Sequence, residues 1–200
     1  MCLRRLPGPF FDPDWLFELK HDGFRSLAYI QNKAVDLVSR RRYVYKSFAL
    51  LRQSIAADLR AKNAVLDGEI VCLDERGHTQ FNTLMRRRDE ARFYAFDLLW
   101  LNGEDLRSLP LVDRKALLRE IVPANSTGLL YVDHIEERGE DLLQLACELD
   151  LEGIVAKWKR GAYISADERT SWLKIKNREY TQIVGRDKLF EKRSGQAVAS

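Results

Sequence analysis

Cysteine, histidine and proline are scarce in this chain of 200 residues. The three cysteines, Cys2, Cys72 and Cys147, stand far apart with no Cys-x-x-Cys spacing, which argues against a disulfide scaffold or a cysteine zinc site. Three histidines, His21, His78 and His134, are too few and too scattered for a histidine-rich metal centre. No apolar run approaches the roughly 18 residues that a membrane span needs. The opening residues Met1-Cys2-Leu3-Arg4-Arg5-Leu6-Pro7 lack the apolar core of an export signal. A reducing cytoplasm is therefore the expected location, with no membrane partner. Nor is there a large excess of one charge: 33 basic against 30 acidic residues leave +3. That balance permits a nucleic-acid partner without requiring one.

What the chain does have is enough apolar residue, 46%, to build a full core at this length. It reads mostly as short strands with helices between them. Residues 15–20, 24–31 and 34–39 alternate like strands, with Asp22-Gly23 and Asn32-Lys33 as turns. Further strands are expected over 64–74, 92–101, 129–134, 152–158, 170–176 and 181–184. Ser47 is placed to cap a helix carrying Phe48, Leu51, Ile55 and Leu59, and Asp113 a second with Leu117, Leu118 and Ile121. A third helix spans 140–149, with Leu142, Cys147 and Leu149 as its inward candidates. Antiparallel-looking strands with interspersed helices imply an α+β domain. The polar tail, 191–200, has little to bury and is expected to fray.

Five stretches carry residues suited to chemistry. In Glu18-Leu19-Lys20-His21-Asp22-Gly23-Phe24-Arg25, strand alternation puts Phe17 and Leu19 on one face and Glu18 and Lys20 on the other. A lysine there acts as a nucleophile where burial or neighbouring cations lower its pKa from about 10.4; otherwise it is a solvated edge residue. In Leu66-Asp67-Gly68-Glu69-Ile70, Asp67 and Glu69 share a face. Two such carboxylates repel unless a cation or a sugar hydroxyl lies between them, so the pair suggests a cleft; a solvent-facing acidic pair is the alternative. Phe96, in Tyr94-Ala95-Phe96-Asp97, reads on its own as a core aromatic. Glu152-Gly153-Ile154-Val155-Ala156-Lys157 is the fourth stretch. In the fifth, Trp172, Lys174 and Lys176 share a face opposite Leu173 and Ile175, and paired cations on a buried strand call for an anion such as phosphate.

The order and spacing of these stretches say more than any one of them. K-x-D-G-x-R, S-R, D-G-E, aromatic-F-D, E-G-x-x-x-K and W-L-K-x-K, running from about residue 9 to 176, resemble the motif series of covalent nucleotidyltransferases. The chain resembles the adenylation domain of ATP-dependent DNA ligases, and most closely the ligase module of bacterial non-homologous end-joining proteins.

That resemblance implies an ATP-grasp-like nucleotidyltransferase domain over residues 1–190, with antiparallel sheets flanked by helices and a nucleotide cleft between them. It implies that Lys20 attacks the α-phosphate of ATP to form lysyl-AMP, that AMP passes to a DNA 5′-phosphate, and that a 3′-hydroxyl then seals the nick. Lys174 and Lys176 correspond to the cations that stabilise the phosphates and depress the lysine pKa. Arg25 corresponds to a ribose or phosphate contact, Glu69 to the ribose ligand and Phe96 to the adenine-stacking ring. Arg40 corresponds to an arginine near the ribose and the DNA 5′-phosphate, and Glu18 to a contact at the adenine edge. Glu152 is the implied Mg2+ carboxylate, with Asp22 and Asp67 as further metal candidates. The implied partners are nicked or broken duplex DNA and a protein supplying a DNA clamp.

Three departures qualify the match. The family ordinarily carries an OB-fold after the last motif, and the 24 residues following Lys176 are too few for a five-stranded barrel. Arg186-Asp187-Lys188 mimics the basic motif of that domain but lies too close to count. No extra DNA-binding domain is expected before Lys20. Ser39-Arg40 continues as Arg41-Arg42 where the family commonly has a polar residue and glycine, which alters the turn or adds a phosphate contact. DNA contact then falls to basic patches at Arg40 to Arg42 with Lys46, at Arg86 to Arg88, and over 157–193. Two other functions stay open: an RNA ligase or capping-type guanylyltransferase, and a non-catalytic nucleotide- or DNA-binding module.

Overall fold

The computed structural model describes residues 1–74, 77, 79–86, 91–164 and 170–181. The expected strand over 181–184, the Arg186-Asp187-Lys188 triplet and the tail lie wholly or largely outside them. Among the described residues eleven strands and four helices form two sheets. The first sheet runs β1 (Arg4–Arg5), β11 (Trp172–Lys176), β10 (Gly153–Trp158), β2 (Phe11–Leu19), β9 (Ile135–Arg138). The second runs β4 (Ala34–Ser39), β3 (Phe24–Gln31), β5 (Asn63–Val71), β6 (Arg92–Leu101), β7 (Glu104–Asp105), with β8 (Leu129–Tyr131) also on β6. Only the β1–β11 and β6–β8 pairs are parallel. The α+β class with antiparallel-dominated sheets is as expected.

Each sheet buries one face against helices. Phe17, Ile154, Ala156, Leu173 and Ile175 form a core with Leu142 and Ala146 of α4 (Gly139–Glu148). Ala28, Leu37, Leu66, Ile70, Phe93 and Leu98 form a second with Leu51 and Ile55 of α1 (Ala49–Asp58) and Leu118 of α3 (Leu111–Ile121). Each fully buried aliphatic side chain contributes about 1.5–3 kcal/mol. Gly68 permits the second core to close, because a Cβ there would stand 2.4 Å from the Phe93 ring.

The alternation read from the sequence holds: the opposite faces carry Glu18, Lys20, Lys157, Lys174 and Lys176 on one sheet and Arg25, Asp67, Glu69 and Phe96 on the other. These faces enclose the cleft.

Helix α3 bridges the two sheets with consecutive cations. Arg114 is fully buried and grips Asp97 of β6 through two 2.8 Å bonds, while donating to the Gly161 carbonyl beyond β10. Lys115 reaches Glu18 of β2 at 2.6 Å and the Val132 carbonyl at 3.0 Å.

Local expectations fail in several places. α3 starts at Leu111 behind Pro110, so Asp113 sits inside the first turn, where its charge favours the helix dipole, and is not the cap. α1 begins after Phe48 with no side-chain cap, so Ser47 does not serve. In α4 the inward residues are Leu142 and Ala146, spaced by four, while Cys147 and Leu149 face solvent. The short helix α2 (Phe81–Arg86) and strands β1, β7 and β9 had no signal strong enough to mark them. No helix among the described residues is long and apolar enough to cross a membrane.

Candidate active site

Lys20 directly follows β2, and its backbone N–H donates to the Gly153 carbonyl at 2.8 Å. That bond sets Lys20 beside the start of β10. Gly153 takes φ +136, and a Cβ there would stand 2.2 Å from the Ile175 carbonyl, so glycine is required at this crossing of three strands. The result places Glu152 against the nucleophile candidate: Lys20 Nζ donates to Glu152 Oε2 at 2.6 Å, and Lys176 Nζ stands 3.3 Å from Oε1. One carboxylate thus bridges two ammonium groups. The nearest charge to Lys20 is an acid, where the sequence reading expected cations first. Lys174 shares the strand face and lines the same cleft as Lys20.

Opposite stands Glu69, whose carboxyl is pushed up to about 8 by burial, against the pull of Lys20 and Arg25. At pH 7 it is held mostly neutral and can donate as well as accept a hydrogen bond. Arg25 forks onto Asp67, with bonds of 3.1 and 2.7 Å. Tyr163 donates to the same Asp67 carboxylate at 2.8 Å. The Arg25 guanidinium also lies 5.3 Å from the Phe96 ring centre and 5.4 Å from that of Trp172.

Deeper in the cleft, Glu18 is buried between Lys115 and Lys157, which hold its carboxyl below the usual range despite burial. The Lys157 ammonium sits 4.4 Å from the Phe96 ring centre and 4.0 Å from that of Trp172. Burial lowers its pKa to about 8. His21, packed edge-on to Tyr94 and lowered to about 4 by burial, is neutral. Glu18, Phe96, Lys157 and Trp172 line the inner end of the cleft, which opens past Lys20, Arg25 and Glu69. The outer cavity, lined by Lys20, Arg25, Arg40, Glu69 and Lys174, measures about 470 Å³, the size range of a small-molecule site.

The structure therefore brings Glu18, Lys20, Arg25, Arg40, Glu69, Phe96, Glu152, Lys174 and Lys176 around one cleft. It does not bring the three metal candidates together. Asp67 is committed to Arg25 and Tyr163, and Asp22 is buried with Tyr180 donating to it at 3.0 Å. Among the described residues no three histidine, cysteine or acidic side chains form a metal cage. Glu152 remains, with its carboxylate against the Lys20 amine. A single carboxylate fits Mg2+, which takes one or two carboxylates and completes its shell with phosphate oxygens and water. The sequence reading gave no role to Lys115, Lys157, Trp172 or Tyr163. For Lys157 and Trp172 the signal was present, as both lie inside motifs already singled out.

The family described as "ATP dependent DNA ligase domain" matches residues 9–176. The chain belongs to this family. It is 33% identical over 169 residues to the multifunctional non-homologous end joining protein LigD of Pseudomonas aeruginosa, covering 82% of this chain and 20% of that protein. It is 35% identical over 173 residues to the LigD of Mycobacterium tuberculosis, covering 85% and 22%. The chain thus spans about a fifth of these curated relatives. Among solved structures, a mycobacterial DNA ligase D complexed with ATP and MES superposes with a TM-score of 0.74 at 30% identity, over 88% of this chain and 59% of that one. The ligase domain of M. tuberculosis LigD gives 0.71 at 31% identity, over 87% and 58%. The fold is therefore that of the nucleotidyltransferase domain of ATP-dependent ligases, the architecture the motif series implied.

Proposed function

We propose that this DNA ligase domain transfers adenylate from ATP to its own Lys20 and from there to the 5′-phosphate of a DNA break, which is then sealed. One observation carries the reading: Lys20, Glu152 and Lys176 lie in contact at the mouth of a cleft whose far wall holds Glu69, Arg25 and Phe96. In the first step Lys20 Nζ forms a bond to the α-phosphorus and the bond from that phosphorus to the bridging oxygen breaks. Pyrophosphate leaves with the electron pair. The ammonium must shed a proton before attack and another as the phosphoramidate forms. Glu152, 2.6 Å away, is placed to accept one, a contribution typically of about 10²–10⁴ in rate. Lys174 and Lys176 spread the charge that builds on the phosphate oxygens.

At the base end, Glu18 supplies an acceptor and Lys157 a donor. Adenine presents the complementary pair, an amino group beside a ring nitrogen acceptor. Guanine presents the opposite pattern. Glu69 and Arg25 face the ribose and phosphates between these two ends. Mg2+ bound through Glu152 and the phosphates would neutralise phosphate charge. The wide separation of the three cysteines in the sequence, with no Cys-x-x-Cys pair, fits a reducing cytoplasm.

The test is sealing of a 5′-phosphorylated nick in duplex DNA with ATP and Mg2+, set against GTP and against an RNA nick. Sealing or 5′-adenylation of the DNA nick with ATP supports the reading. Transfer with GTP alone, or to RNA ends alone, replaces it with the capping or RNA-ligase alternative.

A further inference from the structure

Beside the catalytic cleft lies a second cavity of about 590 Å³, and Arg25 and Arg40 line both. Its walls include Phe24, Arg41, Tyr43 and Tyr45, and among the described residues no acidic side chain lines it. The rim is a self-closed turn over residues 39–43. Ser39 N–H donates to the Tyr43 carbonyl at 2.8 Å, Arg42 N–H to the Ser39 carbonyl at 2.8 Å, and Tyr43 N–H to Ser39 Oγ at 3.0 Å. Arg42 occupies this turn at φ +64, the left-handed region that glycine fills without cost and other residues enter at a penalty. It stands where the family pattern commonly has glycine. Arg40, Arg41 and Arg42 are all exposed, and none pairs with a carboxylate among the described residues. Tyr43 is 70% exposed, and Tyr45 lies nearly parallel to Phe24 at 6.0 Å.

A surface arginine in a conformation suited to glycine, two more beside it with no carboxylate partner among the described residues, and an open aromatic face are the ingredients of a strand-binding site: cations for phosphates, a π-face for a base. The volume suits one nucleotide. We propose that this cavity receives an unpaired nucleotide of the DNA strand whose 5′-phosphate enters the cleft, its base on Tyr43 and Tyr45 and its flanking phosphates on Arg41 and Arg42. Arg40, shared by both cavities, marks the passage between them. This deepens the ligase reading and rests on it for the choice of strand.

The experiment measures binding of the full chain, without ATP, to two 5′-phosphorylated nicked duplexes. One is fully paired; the other carries one unpaired nucleotide beside the phosphate. The parent protein binds the unpaired duplex at least about 5-fold more tightly, the lower end of a base-on-aromatic contribution. Tyr43→Ala erases that preference. Arg42→Gly weakens binding to both duplexes and lowers the log–log salt slope by about one. Because glycine suits the left-handed turn, Arg42→Gly melts no lower than the parent, so its loss of affinity is not misfolding. Equal affinity of the parent for the two duplexes, or variants that match the parent in preference and slope, overturns the proposal. These readouts involve no chemistry, so they stand apart from self-adenylation, which both variants keep at the parental level and whose absence in the parent would instead refute the ligase reading.

Discussion

The Glu152 carboxylate holds the Lys20 amine at 2.6 Å. Its second oxygen is engaged by Lys176 at 3.3 Å, so it is fixed from both sides while facing the amine that loses a proton in the proposed transfer. Replacing it with an isosteric amide keeps the shape and removes the base. Glu152→Gln is expected to slow single-turnover adenylate transfer to Lys20 by about 100-fold or more. ATP binding should weaken much less. A loss confined to ATP affinity would show Glu152 to be a binding residue only.

Base selection is assigned to the buried pair of Glu18 and Lys157. Lys157→Met removes the donor and leaves Lys115 to neutralise Glu18, so the fold is retained. The ratio of kcat/KM for ATP over GTP is expected to fall by about 10-fold or more, the usual scale for one lost buried hydrogen bond to a charged group. An unchanged ratio would place the adenine edge elsewhere.

The raised carboxyl of Glu69 makes stability depend on pH. Its ordinary value is 4.5 and its folded value about 8, so between these the folded state holds more proton than the unfolded chain. Stability from this group is complete below pH 4.5 and is lost as pH rises through 8. Glu69→Gln should flatten the fall in denaturation midpoint between pH 5 and 8.5. A parallel fall in parent and variant would assign the pH dependence to another group.

Arg114 of α3 and Asp97 of β6 pair with no solvent exposure on either side chain. Removing one partner strands the other charge, which costs about 3–5 kcal/mol. Arg114→Met is expected to lose stability on that scale in urea denaturation. The double variant Arg114→Met with Asp97→Leu should recover part of it.

The strands and their inner faces were legible because alternation in β2, β5 and β11 separates charged from apolar positions cleanly. Lys20, Glu69, Lys174 and Lys176 could thus be placed on cleft faces from period-two spacing, and the family supplied their expected roles. The buried ion pairs were not legible. Arg114 and Lys115 lie outside the apolar set Leu117, Leu118 and Ile121 read for their helix, and only the fold turns both cations inward. The Ser47 and Asp113 caps failed for a related reason. Their residue types favour caps, but tertiary packing of Phe48 and Leu111 decided where the helices begin. Asp22 and Asp67 read as metal candidates because only the fold brings their partners to them, Tyr180 to the first and Arg25 with Tyr163 to the second.

The most direct test is the intact mass of the full chain after incubation with ATP and Mg2+, followed by peptide mapping. The account predicts a gain of one adenylate on Lys20, labile to acid, and none on Lys20→Ala. An unmodified protein, or an adenylate mapped to any other residue, would contradict it.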